Sequence, residues 1–301
     1  MDFTDRLRRL VPEDRIRMNE PMSRHTTFRT GGNAEYFIYP QEHQIGPVLK
    51  ACREEGIPAL VIGNGSNLLV SDEGLEGVVL CIGPQMEEIS VEGDRIYAQA
   101  GASLRAVAEE AAKHSLTGLE FASGIPGTLG GALVMNAGAY GGEMKDVVES
   151  LKVLTRDGFH PTLSAAEYEG GYRTSAVMRS GAIVLSAVLK LEAGDQDAIY
   201  EKMKELREKR RQKQPLEYPS AGSTFKRPEG YYAGKLIEDS GLSGYRIGGA
   251  QVSEKHCGFI INTGDATSAD VHDLMEHVIG TVYEKYGIVL DPEVRCIGAF
   301  E

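Results

Sequence analysis

An α+β fold in two units, a larger one to about residue 212 and a smaller one over 213–301, is what the sequence predicts. Three observations point to it. Short apolar runs alternating with period two interleave with segments whose apolar residues recur at helical spacing. Gln214-Pro215 interrupts a long charged segment, and Glu217-Tyr218-Pro219-Ser220-Ala221-Gly222 beyond it has linker composition. The 301 residues are 42% hydrophobic, enough for a sizeable core and long enough to divide into two domains or lobes.

In chain order, 34–39 reads as a strand and 41–55 as a helix that Gly56 ends. Residues 59–62 form a short buried strand running into Gly63-Asn64-Gly65-Ser66-Asn67, and strands follow at 68–71 and 78–82. Residues 88–98 read as a hairpin turning at Gly93-Asp94. Leu104, Val107 and Ala111 lie on one face of a helix over 104–114. Strands are expected at 147–154 and 183–191, and Asp195 caps a charged helix ending near Lys213. In the smaller unit, strands are expected at 223–226, 251–252, 258–262 and 293–297, with helices at 232–240 and 268–285.

Glycine makes up 36 of the residues. That is about 12%, against a usual share of roughly 7%. With no G-X-Y period and only 12 prolines, neither collagen nor low-complexity disorder accounts for it. The formal charge of −12 argues against a nucleic-acid partner. No apolar stretch reaches the roughly 18 residues of a membrane helix, and Met1-Asp2-Phe3-Thr4-Asp5-Arg6 lacks the apolar centre of a signal peptide. The cysteines, at 52, 81, 257 and 296, show neither CxxC spacing nor clustering with histidine, so no metal site or disulfide framework is expected. A cytoplasmic protein with reduced thiols is the expectation.

Two glycine-rich segments carry the chemistry. In Val61-Ile62-Gly63-Asn64-Gly65-Ser66-Asn67-Leu68-Leu69, glycines between two strands let backbone N–H groups converge on an anion. Leu68 stands where a Rossmann fingerprint has its third glycine, and a strand rather than a helix follows; no Walker A pattern occurs either. The second segment, 118–142, holds 8 glycines in 25 residues. Each glycine inside an element costs about 0.5–1 kcal/mol relative to alanine, and close approach of backbone to a flat or anionic ligand offsets such a cost. A tight helix crossing would explain Gly130-Gly131 but not the whole run. Together the two segments suggest a dinucleotide bound in a non-Rossmann manner.

These segments, with Tyr172-Arg173-Thr174-Ser175, Gly222-Ser223-Thr224-Phe225-Lys226 and Pro292-Glu293-Val294-Arg295, resemble the UDP-N-acetylenolpyruvoylglucosamine reductase (MurB) family in matching order. The likeness runs from about Asn19 to Phe300 and is closest to the compact branch, which lacks an extra loop in the substrate region. His25-Thr26-Thr27-Phe28-Arg29-Thr30-Gly31-Gly32 is also similar to the family's N-terminal signature.

The resemblance implies a two-lobed FAD-binding domain of the vanillyl-alcohol-oxidase/PCMH type over 1–212, with lobes of about 1–82 and 83–212. A smaller C-terminal α+β substrate-binding domain over 213–301 completes it. It implies non-covalent FAD, NADPH as hydride donor and a UDP-sugar substrate in peptidoglycan precursor synthesis. Gly63, Asn64, Gly65, Ser66, Asn67 and Leu68 would hold the cofactor, with Ser123, Gly124, Pro126, Gly127, Thr128, Gly130, Asn136 and Gly138. Arg173 matches the family arginine, whose fixed fork suits a carboxylate. Glu293 matches the glutamate that stabilises the enolate, and Ser223 the serine that protonates C2. Tyr140, Lys226, Arg227, Lys235 and His256 are the substrate-binding candidates; Arg227 stands where some relatives have asparagine, and His256 where some have glutamine.

Taken without the family, Arg173 would be a surface ion pair, Ser223 a turn serine and Glu293 a strand-end carboxylate. The absence of His and Cys from 63–67 predicts a dissociable flavin. Lys204–Lys213, with 6 basic residues and 2 glutamates, reads as a solvated helix end that favours cations. No membrane insertion is expected, and a monomer or weak homo-oligomer is. Two other readings stand beside the reductase: another non-covalent FAD oxidoreductase of the same fold, and a nucleotide-binding protein without turnover.

Overall fold

The computed structural model describes residues 2–300. They divide into two compact units. The first takes in the residues to Arg17, Phe37–Asn64 and Gly77–Lys209; the second takes in Met18–Tyr36, Gly65–Glu76 and the chain from Arg210 onward. The segments 18–36 and 65–76 thus pack with the C-terminal residues rather than with their sequence neighbours.

The first unit is built around a five-stranded antiparallel sheet in the order Thr162–Ser164, Val148–Leu154, Ile183–Lys190, Arg95–Gln99, Ile89–Glu92. Its outermost pair is the expected hairpin: Glu92 pairs with Arg95, leaving Gly93-Asp94 as the two-residue turn. The helix Leu104–Lys113 begins where Ser103 Oγ accepts the Ala106 N–H at 3.1 Å, and it buries Leu104, Val107, Ala108 and Ala111. A parallel pair, Ala59↔Val78 to Ile62↔Cys81, leads into the first glycine loop. The helix Glu42–Glu55 ends at Gly56, whose φ of +69° allows the left-handed stop. Asp195 caps the charged helix as expected, its carboxylate accepting the Ala198 N–H at 2.8 Å.

The second unit centres on the helix Ser268–Tyr286. Val271, Leu274, Met275 and Val278 pack in one cluster with Phe28, Leu69, Leu236 and Ile237. A three-stranded antiparallel sheet, Arg246–Ile247, Ala250–Val252, Ile260–Asn262, lies in the same unit. The strand Arg295–Ile297 pairs in parallel with Leu68–Val70.

One expected strand is corrected. Residues 223–226 form a single bridge, Phe225↔Pro292, rather than a ladder. The ladder stops there because the Thr224 N–H turns to the Gly258 carbonyl instead of returning the bond it receives from Glu293. The strand at 293–297 is shorter than expected, starting at Arg295. The helix Phe3–Leu10 and the strand Ile16–Pro21 were not foreseen. In that strand Arg17, Met18 and Asn19 are all exposed, so no alternation marks it.

Candidate active site

The first glycine loop owes its shape to two close approaches. A Cβ added to Gly63 would fall 3.2 Å from Thr128 Cγ2 and inside contact with its hydroxyl. Gly65 has φ +58°, and a Cβ there would fall 3.0 Å from the His25 carbonyl carbon and inside contact with its oxygen. The Gly65 carbonyl accepts the N–H groups of Thr27 and Leu68, both at 3.4 Å. The N–H groups of Asn64, Gly65 and Asn67 donate to no backbone carbonyl among the described residues. Behind the loop, the buried Cys81 thiol donates to the Gly63 carbonyl at 3.7 Å. Burial pushes that thiol up to about 12, so it stays protonated and unreactive.

The second segment starts where Glu120 accepts the Thr117 hydroxyl at 2.6 Å and the Gly118 N–H at 2.9 Å. Ser123 is buried and its hydroxyl donates to the Glu120 carbonyl at 2.8 Å. Thr128 caps the six-residue helix Leu129–Val134. The first N–H groups of that helix are already engaged: Leu129 with the Ala102 carbonyl and Gly130 with the Ala100 carbonyl, both at 2.8 Å, and Gly131 with Thr128 Oγ1 at 3.3 Å. Among the described residues, donors without a backbone carbonyl lie instead in the loop before the helix, on Gly124, Gly127 and Thr128. Gly130 packs so closely on Ala100 that an added Cβ would meet Ala100 Cβ at 3.0 Å.

Asn136, expected among the cofactor contacts, is 1% exposed and its side chain is committed to protein. Nδ2 donates to Glu143 Oε2 at 2.6 Å and to the Gly171 carbonyl at 3.0 Å, while Oδ1 accepts the Lys145 N–H at 2.9 Å. Gly138 pairs with Glu143 and Ala139 with Gly142, leaving Tyr140-Gly141 as a two-residue turn. Both turn residues have positive φ, +53° and +92°, and the Tyr140 ring is exposed.

Arg173 occupies the third position of the tight turn 171–174. The Gly171 N–H donates to the Thr174 carbonyl at 2.9 Å, and the Thr174 N–H returns the bond at 3.3 Å. Its φ is +55°, and its guanidinium lies 5.3 Å from the centroid of the Tyr172 ring. Asn136, Tyr140 and Arg173 are three of the seven non-glycine residues with positive φ among the described residues. Such conformations persist where the surroundings over-determine them, and they gather at functional sites.

In the second unit the chain brings Ser223, Glu293 and the loop residue Asn67 together. Thr224 is buried; its N–H donates to the Gly258 carbonyl at 2.8 Å and its hydroxyl accepts the Ile260 N–H at 3.0 Å. Its carbonyl accepts the Glu293 N–H at 2.8 Å, and the Lys226 N–H donates to the Asp291 carbonyl at 2.8 Å. Ser223 is thereby held, exposed, one residue from the partner of Glu293. Asn67 Nδ2 donates to the Glu293 carbonyl at 2.9 Å, and the Arg295 N–H donates to the Asn67 carbonyl at 3.0 Å.

The cationic candidates of this unit already have partners. Lys226 pairs with Asp291 at 2.6 Å, and Lys235 with Asp239 at 2.5 Å. The Asp239 carboxylate raises the Lys235 pKa. Arg227 stacks on Tyr232, 4.1 Å from the ring centroid, and its Nε donates to the Tyr231 carbonyl at 3.3 Å. His256 Nδ1 accepts the Gly258 N–H at 3.1 Å, and burial lowers the imidazole pKa. A neutral ring in this setting carries its proton on Nε2 and offers a substrate a hydrogen bond rather than a charge. Arg173 and Tyr140 belong to the first unit, and Ser223, Lys226, Arg227, Lys235, His256 and Glu293 to the second.

Comparison with known proteins bears on both units. Residues 34–164 match the model of an FAD binding domain, and residues 214–297 that of the UDP-N-acetylenolpyruvoylglucosamine reductase C-terminal domain. The UDP-N-acetylenolpyruvoylglucosamine reductase of Lachnoclostridium phytofermentans is 52% identical over 297 residues, covering 97% of this chain and 96% of that protein. The chain belongs to the UDP-N-acetylenolpyruvoylglucosamine reductase family.

A second reductase, from Caldanaerobacter subterraneus subsp. tengcongensis, is also 52% identical, over 98% of both chains. The crystal structure of the Thermus caldophilus reductase superposes with a TM-score of 0.79 at 35% identity, covering 92% of this chain and 97% of that one. A glucose dehydrogenase, Phl p 4.0202, shares the fold alone: TM-score 0.50, 16% identity, over 65% of this chain and 45% of that one.

The residues present fit FAD, the cofactor of this reductase family. Both loops offer backbone donors that lack carbonyl partners among the described residues, as a pyrophosphate requires. The donors lie in the loop before the helix Leu129–Val134, because the helix's own first turn is engaged. Sequence reasoning missed the backing of Gly65 by 25–27 and the hold of Asn136 on Gly171. Neither contact is local in the chain, although the quoted family signature at His25-Thr26-Thr27 marked the first. Among the described residues no helix is long and apolar enough to cross a membrane.

Proposed function

We propose that the chain reduces UDP-N-acetylenolpyruvoylglucosamine to UDP-N-acetylmuramate in the cytoplasm, with Arg173, Glu293 and Ser223 acting on the enolpyruvyl group. In this reading residues 1–212 hold FAD and residues 213–301 hold the UDP-sugar. When bound, FAD supplies a two-electron relay from NADPH to C3 of the enolpyruvyl ether.

Reduction at C3 leaves negative charge at C2, delocalised into the substrate carboxylate as an enolate. The Arg173 guanidinium, a rigid fork, pairs with both carboxylate oxygens and gains strength as charge builds there. The Glu293 carboxyl shares a proton with the enolate oxygen. The Ser223 hydroxyl delivers its proton to C2 and recovers one from solvent, which its exposure permits. His256, with its Nε2 proton, and Arg227 bind the diphosphate, while Lys226 and Lys235 must exchange a carboxylate partner for it. Tyr140, on its exposed turn, contacts the substrate.

What carries the reading is the pairing of Thr224 with Glu293. It brings Ser223, the neighbour of Thr224, close to Glu293, 70 positions on in sequence, and both match the family's catalytic positions. Ser223→Ala tests it by anaerobic mixing. NADPH should bleach the flavin at nearly the wild-type rate. Restoration of the 450 nm band by the enolpyruvyl substrate should slow by about a hundredfold, at the low end of what a positioned general acid contributes. Equal slowing of both half-reactions would refute the role of Ser223, and a flavin never restored by this substrate even in the wild type would refute the activity.

A further inference from the structure

We propose that Tyr168 and Ser175 are positioning residues for Arg173: with Asn136 they fasten the turn 171–174 to the carbonyl end of the helix Leu129–Val134. The inference rests on the reading of Arg173 given above.

The last carbonyls of a helix have no partners within it. In this six-residue helix two of them are met by side chains of the segment that carries Arg173. The Tyr168 hydroxyl donates to the Leu133 carbonyl at 2.6 Å, and the Ser175 hydroxyl to the Val134 carbonyl at 2.8 Å. From the residue just past the same helix end, the Asn136 amide reaches the Gly171 carbonyl at 3.0 Å. The turn is therefore held on both sides, by Gly171 before Arg173 and by Ser175 after it. Just before the first of these holds the packing is tight. A Cβ on Gly170 would lie 2.8 Å from Lys145 Cβ, 2.9 Å from Tyr168 Cε1 and 3.0 Å from Asn136 Cγ.

Ser175, Tyr168 and Asn136 are all at most 1% exposed, so water does not compete for these bonds. Burial also raises the Tyr168 pKa, keeping its hydroxyl a donor. Arg173 needs this support for two reasons. Its φ of +55° is a conformation an unconstrained arginine leaves. A two-point contact with a carboxylate also tolerates only about 0.5 Å of misplacement. The helix thus serves twice, lining the cofactor loop at its start and anchoring the arginine at its end.

Tyr168→Phe and Ser175→Ala each remove one hydroxyl and little volume. Bound FAD and the rate of bleaching by NADPH should match the wild type. Reoxidation by the enolpyruvyl substrate should slow about three- to tenfold, the range for one lost buried hydrogen bond. In an Arg173→Ala background neither change should slow reoxidation further, the signature of action through the arginine. Multiplicative slowing in that background, slowing of both half-reactions alike, or unchanged single variants beside a slow Arg173→Ala overturns the positioning role alone. An Arg173→Ala enzyme that reoxidises normally overturns the role of Arg173 and this inference with it. Ser175 also accepts the Met178 N–H at 3.1 Å, so flavin content and melting are recorded for both variants. If one fails to fold, the other decides.

Discussion

Replacing Gly65 by alanine separates the demands that the flavin loop makes on its glycines. The substitution carries two penalties. Left-handed backbone costs an L-residue about 1–2 kcal/mol. The new methyl would also lie 3.0 Å from the His25 carbonyl carbon and 3.2 Å from Thr26 Cα, and closer still to the His25 oxygen. These are backbone atoms and cannot rotate away, so the loop must shift by about 1 Å to restore van der Waals contact. A shift of that size spoils the hydrogen bonds from Asn64, Gly65 and Asn67 to an anion. Charge-assisted bonds contribute about 1.5–3 kcal/mol each, so losing the value of even one weakens FAD by at least about tenfold, and about 2 kcal/mol corresponds to roughly 30-fold. Two controls isolate the cause. Gly56 has φ +69° with nothing within 4 Å of an added Cβ, so Gly56→Ala should lower stability by about 1 kcal/mol and leave FAD affinity alone. The atoms nearest to a Cβ on Gly63 all belong to the Thr128 side chain; Gly63→Ala should cost about 1 kcal/mol through the lost helix cap and weaken FAD less than Gly65→Ala does. The assay is titration of apoprotein into FAD followed by flavin fluorescence, with melting in parallel. A Gly65→Ala protein binding FAD within twofold of the wild type would refute the argument that this loop closes on the cofactor through its backbone.

Two further outcomes concern the second unit. Asp72 accepts the N–H groups of Ser268 and Ala269, both at 2.9 Å, at the start of the long helix. Asp72→Ala should lower the urea midpoint by the equivalent of about 1 kcal/mol for an exposed carboxylate cap, and an unchanged midpoint would show that water replaces it fully. His256 has its pKa lowered by burial, so as pH falls the unfolded chain takes up this proton before the folded one does. Its contribution to stability is therefore full above the ordinary value of about 6.5 and is lost as pH drops through the window below it. Comparing denaturation of wild type and His256→Gln between neutral pH and pH 5 should show the steeper loss in wild type; parallel curves would show that the ring titrates normally.

Much of the fold is legible because its cues are local. Gly93-Asp94 set a two-residue hairpin, Gly56 stopped a helix, and Leu104, Val107 and Ala111 marked a buried face; each rests on chemistry within a few residues. The strand expected at 223–226 failed because the Thr224 N–H is taken by the Gly258 carbonyl and the Glu293 carbonyl by the Asn67 amide, partners remote in sequence. The glycine loops could be recognised by composition, but not their partners. Nothing near Gly65 in sequence announces the His25 carbonyl, and nothing near Arg173 announces that Tyr168 and Ser175 reach back to Leu133 and Val134. The family resemblance set Asn136 among the cofactor contacts but could not show what its side chain holds within the protein. Its amide is fully used by Glu143, Gly171 and Lys145, a fact only tertiary structure supplies.

The way the chain passes back and forth between its two units has a consequence for how it is made. Phe28 is fully buried, in a cluster with Val271, Leu274 and Val278. The ribosome emits Phe28 about 240 residues before the start of the helix Ser268–Tyr286. At about 5–20 residues per second, the ring waits on the order of 10–50 s for its neighbours, with its apolar surface open to other chains. Cleavage in the linker after Lys213 would not release the second unit intact either, because 18–36 and 65–76 would remain on the other fragment. Synthesis must run past the helix Ser268–Tyr286 before the signature around Phe28 can settle, which makes the nascent chain, rather than the finished protein, the stage most exposed to aggregation.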